Sequence, residues 1–212
     1  MEIGFREENT KTALCLLARV YLALFNAMDL DLDWFSQDAA ELSKVFSGFS
    51  SIRDQLLQML ERMIERLEKQ IEGGEEDAQV HRVLGELYGR AIKYKGKMAG
   101  MIYGPKSEKE LRRAHKKEPQ NPRVLTAMGR LKLFTPKYFG GGTRVARKFF
   151  QEANQADPMF HESYIGLALC AFMEGNRAEC QGHLSGALEL HHANRFAQKL
   201  LSREKKGLPL TP

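Results

Sequence analysis

His161–Asn194 reads HESYIGLALCAFMEGNRAECQGHLSGALELHHAN, 34 residues without a gap. Two helical stretches flank the turn Glu174-Gly175-Asn176, whose Gly and Asn tolerate left-handed backbone at little cost. Tyr164, Leu167, Ala168 and Ala171 recur at helical spacing in the first stretch. Cys180, Leu184 and Ala187 do so in the second. Large side chains alternate with small ones, so two antiparallel helices can nest closely. Ala168 to Cys180 is 12 steps and Ala168 to Ala187 is 19.

The same register appears twice upstream. From Pro122, with Asn121 as a natural N-cap, Leu125, Met128 and Gly129 fall at the first-helix offsets. Ala146, Phe150, Ala153 and Pro158 follow at those of the second. Gly129 to Ala146 is 17 steps, so five residues have been inserted, within FTPKYFGGG (residues 134–142). His81, Leu84, Gly85 and Tyr88 open a third copy, which Ala114 and Pro119 complete. Gly85 to Ala114 is 29 steps, ten more than the simple unit, and the insertion includes AGMIYGPKS (residues 99–107). This stretch is expected to be a turn, with Ser107 and Glu110 forming a capping box that restarts a helix. The expected units are 78–121, 122–160 and 161–194.

The flanks fit a terminated array. Residues 195–206 place Phe196, Leu200 and Leu201 on one face, as a capping helix does, and 207–212 form a loose tail. Residues 1–77 are expected to hold a degenerate helix pair or cap. Within them Leu56, Leu60, Met63, Ile64, Leu67 and Ile71 give residues 50–72 a helical stripe that Gly73 and Gly74 stop. Residues 10–28 would be its partner or an N-terminal cap, and Trp34 would anchor the link to the array.

These registers resemble the tetratricopeptide repeat over 78–194, a recurring helix–turn–helix whose units stack to bury a continuous core. More narrowly, residues 104–142 are similar to a set of bacterial tetratricopeptide proteins carrying the same inserted turns. Gly104-Pro105-Lys106-Ser107 and Thr135-Pro136-Lys137-Tyr138-Phe139-Gly140-Gly141-Gly142 flank Asn121-Pro122-Arg123. That narrower likeness brings no biochemical role with it. The wider one implies an all-α fold, a right-handed superhelix of antiparallel helix pairs whose concave groove binds peptides or helices.

Composition excludes several other classes. With 43% hydrophobic and 28% charged residues the chain should fold as an ordinary globular protein. Its most apolar stretch, residues 12–27, is interrupted by Arg19 and preceded by Glu2, Glu7 and Glu8, so neither a span nor a secretory signal is expected; a cytoplasmic location is the expectation, and a mature exported chain whose signal had been removed would read the same. Cys15, Cys170 and Cys180 form no disulfide framework. The six histidines show no metal-ligand spacing, so no metal or cofactor is expected. Gly140–Gly142 lack the Gly-Lys-Ser/Thr that a phosphate loop needs, and turn geometry explains them.

Charge is distributed unevenly. Residues 1–81 hold 8 Lys/Arg against 16 Asp/Glu, whereas 82–148 hold 18 against 4. A middle third this basic attracts acidic partners. In the tetratricopeptide register, Arg82, Glu86 and Arg90 would line the groove from the first unit. Arg123, Thr126, Arg130 and Phe134 would do so from the second, and Ile165, Leu169 and Phe172 from the third. The groove should therefore be basic at one end and apolar at the other, suited to a partly acidic protein or peptide segment. Glu86, Ala127 and Gly166 stand where the chaperone-tail variety of the fold places its carboxylate clamp, so that specificity is not expected. The inserted turns would bring Tyr103, Lys106, Lys137, Tyr138 and Phe139 to one rim. The expected function is a non-enzymatic scaffold, with self-association open. Polyanion or nucleic-acid binding through residues 82–148 is the alternative, although no nucleic-acid motif supports it.

Overall fold

A computed structural model describes residues 49–74, 77–95 and 98–207. Among them are eight α-helices and no strand: α1 (Phe49–Glu72), α2 (Ala78–Lys95), α3 (Ala99–Lys117), α4 (Pro122–Phe134), α5 (Thr143–Ala156), α6 (His161–Met173), α7 (Arg177–Leu190) and α8 (Arg195–Lys205). The helices expected over 50–72 and 195–206 are α1 and α8. Residues 10–28 and Trp34 lie outside the described residues. The chain divides into two compact units, 1–114 and 115–212.

In the first unit, the α1 stripe of Leu60, Met63, Ile64 and Leu67 packs on Val80, Val83, Leu84 and Leu87 of α2. Met63 is core filler, as its place in the stripe implies. α3 corrects an expectation. AGMIYGPKS is its first half, not a turn, and Ser107 and Glu110 lie inside the helix rather than capping it. The physical reason is the spacing of Ala99, Tyr103, Ser107, Leu111 and Ala114. They form an unbroken stripe along α3 that overrides the breaking tendency of Pro105. Ser107 Oγ donates to the Gly85 carbonyl at 2.7 Å, drawing α3 against α2.

In the second unit, α4–α5 and α6–α7 are the expected helix pairs, and α8 covers α7. The predicted cap is in place at α4, and two further asparagines cap α7 and α8. Asn121 accepts from the Arg123 N–H at α4, while Asn176 and Asn194 do the same for Glu179 at α7 and Ala197 at α8. Phe150, wholly buried on α5, packs with Leu133 of α4 and Ile165 of α6 in one core.

The glycine run is a folded turn. Lys137–Phe139 make one turn of 3-10 helix, and Gly140 and Gly142 take φ of 77° and 105°. The N–H groups of Gly140, Gly141 and Gly142 donate to the carbonyls of Lys137, Pro136 and Lys132. A Cβ on Gly141 would stand 2.0 Å from the Thr135 carbonyl oxygen. These amides are spent on the turn's own carbonyls, so none is left to cradle a phosphate.

Arg147 of α5 joins the next pair by bonding Glu174 and Glu179 at the α6–α7 turn. The hydrogen bond from Arg147, with its charge, holds the Glu179 carboxyl below the ordinary value. A depressed carboxylate stabilises the fold above the ordinary carboxylate range and loses that contribution as pH falls through its folded value. Both groups are partly exposed, so Arg147→Ala should cost about 1 kcal/mol at neutral pH. Urea unfolding should show the gap to wild type closing below about pH 4.

Candidate functional site: the α4–α6 wall

α4 and α6 lie side by side in the second unit. Arg130 Nη2 of α4 meets Glu162 Oε2 of α6 at 2.7 Å. Burial works to raise the Glu162 carboxyl, but the Arg130 charge and hydrogen bond outweigh it and hold it below the ordinary range. Arg123, in the first turn of α4, is exposed and stands 5.6 Å over the Phe160 ring. The last turns are apolar: Phe134 is 63% and Met173 47% exposed, with Phe172 half-buried. Ile165 and Leu169 are nearly closed, and Thr126 is buried with no partner for its hydroxyl, so these three shape the wall from beneath. Arg123 and Glu162 belong to the first turns of their helices and Phe134 and Met173 to the last, while Arg130 stands one turn before Phe134.

The first-unit candidates are differently placed. Arg82 is only 5% exposed and donates to Gln79 and to Glu86, so its charge is taken up inside the unit. Arg90 is half-buried. Tyr103 and Lys106 belong to α3 rather than to a turn. Tyr103 packs 5.8 Å from the Tyr88 ring, and Lys106 reaches Glu68 at 3.1 Å. Tyr88 donates to the same Glu68 carboxylate, and its hydroxyl pKa is raised, first by burial. Lys137, Tyr138 and Phe139 do form an exposed turn, the two rings 4.5 Å apart.

Two further groupings escaped the sequence reading. His81 and Glu110 form a buried pair, Nδ1 to Oε2 2.7 Å, across α2 and α3. His161 stacks on His191 at 4.8 Å, and burial lowers the His161 pKa. Each links residues about thirty apart, so no local pattern signals them. Glu68, Tyr88, Lys106, Glu110 and Arg113 edge a cleft of about 300 Å³ in which opposite charges already meet one another. A second, of about 400 Å³, lies between α7 and α8 at Leu188, Leu201 and Lys205.

Cys170 and Cys180 are buried, which pushes their thiols up to about 12 and about 11, far from thiolate at neutral pH. Among the described residues no group of three His, Cys, Asp or Glu is placed to hold a metal ion, and no helix is long and apolar enough to cross a membrane.

Comparison with solved structures bears on the arrangement as a whole. The chain is similar to Pseudomonas aeruginosa pilF, at 18% identity over 76% of this chain and 72% of that one, with a TM-score of 0.52. It is also similar to YrrB, a tetratricopeptide protein with an unusual peptide-binding site, at 15% identity over 87% and 89%, with a TM-score of 0.50. The fold is that of the tetratricopeptide repeat. No family model matches the sequence, and no curated protein does. In tetratricopeptide terms, α4 and α6 are the first helices of their units, and α5 and α7 the second. The wall therefore consists of first helices alone.

Proposed function

We propose that the chain is a non-enzymatic interaction module that holds a protein or peptide segment against the α4–α6 wall. The observation that carries this reading is the exposed pair Phe134 and Met173 at one end of a wall whose other end presents Arg123, with the Arg130–Glu162 bridge joining the two helices. Apolar anchors beside a fixed cation suit a segment with apolar residues at one end and an acidic residue at the other. YrrB, with the same fold, has a peptide-binding site, which supports a peptide as the guest. Buried thiols with raised pKa values support a binding role over a nucleophilic one.

Peptides displayed on phage and selected on the full chain test the reading. Enriched sequences should combine apolar and acidic residues. Arg123→Glu and Phe134→Asp, both at exposed positions, should each weaken the selected peptides by about tenfold or more without loss of helix. Arg82→Glu is unsuited to this purpose, because it buries a carboxylate beside Glu86. Peptides that bind both wall variants as tightly as wild type would move the site elsewhere.

A further inference from the structure

A row of planar groups crosses the charged end of the wall. The Arg123 guanidinium of α4 stands 5.6 Å over the Phe160 ring. The Phe160 ring is 6.1 Å from that of His161, and His161 stacks on His191 at 4.8 Å with 22° between the planes. The row thus runs from the first turn of α4, past the residue that precedes α6, to the residue that closes α7. Arg123 and His191 are exposed and His161 is half-buried, so a guest can reach the row from solvent.

Burial is the largest effect opposing protonation of the His161 imidazole. Glu162, beside it on α6, favours protonation, while His191 after α7 and Arg130 and Arg123 of α4 oppose it. The ring is therefore neutral at neutral pH. The Glu162 carboxylate is already taken up by Arg130 at 2.7 Å, so it offsets the cations only in part. A carboxylate arriving at Arg123 changes this balance. It offsets the Arg123 charge and adds a negative charge near the imidazole, in a partly dry setting where such charges still act on one another. Proton and carboxylate then favour each other, and each strengthens binding of the other by the same factor. A guest with an amide in place of the acid leaves the imidazole as it is.

We infer that His161 is a further binding residue of the wall, taking up a proton as an acidic residue of the guest settles beside Arg123. This rests on the peptide reading above and gives it a direction with pH. Two measurements on the full chain test it. In the first no peptide is present. Arg123→Glu fixes a carboxylate at the head of the row, and the His161 ring resonances should titrate at a pH higher than in wild type by about half a pH unit or more. An unchanged titration would overturn the inference whatever becomes of the peptides. The second measurement uses the peptide selected on the chain and a copy with Gln for Glu or Asn for Asp. Lowering the pH from about 8 to about 5.5 leaves the peptide carboxylate ionised. It should tighten the acidic peptide about fivefold or more, and not its amide copy. His161→Gln should remove that gain, with helix content unchanged. Peptides that need Arg123 yet bind equally at both pH values would overturn the inference and leave the peptide reading standing. Peptides indifferent to Arg123→Glu would overturn both.

Discussion

Phe150→Ala is expected to cost about 3–5 kcal/mol, among the largest losses any single substitution in the second unit should produce. The ring is wholly buried on α5, between two glycines on neighbouring helices. A Cβ at Gly129 of α4 would stand 2.6 Å from ring atom Cε1, and one at Gly166 of α6 2.3 Å from Cδ1 and Cε1. Two first helices thus close on one aromatic plate carried by the second helix between them. The same geometry gives Gly166→Ala an unusual sign. In an exposed helix, Gly to Ala gains about 1 kcal/mol of propensity. Here the added methyl meets a ring that cannot withdraw, so a net loss of about 1–3 kcal/mol is expected in urea unfolding. Phe150→Leu should relieve much of it, because the two changes share one space. A stabilising Gly166→Ala would show that the ring has room, contrary to the packing described.

Glu110→Ala is expected to cost about 1–3 kcal/mol in the first unit. Glu110 bonds His81 at 2.7 Å, and both side chains are more than nine-tenths buried. Its other carboxylate oxygen lies 3.4 Å from Arg113. Removing the carboxylate strands the imidazole without a partner, where desolvation is not offset. Replacing both, as His81→Leu with Glu110→Leu, should recover most of the loss, since a well-packed apolar pair avoids the desolvation of both groups. Thermal unfolding of the two singles and the double would separate these terms. A double variant as unstable as the singles would mean that the pair itself, and not the cost of breaking it, holds α2 to α3.

Where local chemistry decides a feature, it was legible in the sequence. Asn121 caps the helix its position announces, because an N-cap needs only its own next three residues, and Asn176 and Asn194 cap α7 and α8 by the same local rule without having been singled out. Gly129 and Ala168, at matching offsets, mark where first helices admit a neighbour. The α2–α3 hairpin was misread because Gly104 and Pro105 signal a break locally, while the stripe from Ala99 to Ala114 acts through α2. Arg82 was placed on a groove by register alone. Its side chain instead turns along its own helix to Gln79 and Glu86, within one turn on either side. The Arg130–Glu162 bridge spans 32 residues, and only the stacking of units brings it together.

The central claim is that a segment lies on the first helices α4 and α6. A photoreactive phenylalanine at position 134, set against the same group at position 138 on the exposed turn, tests it most directly. With an apolar-acidic peptide selected on the full chain, the wall position should crosslink and the turn position should not. Strong crosslinking from position 138 with none from 134 would place the guest on the turn and contradict the account.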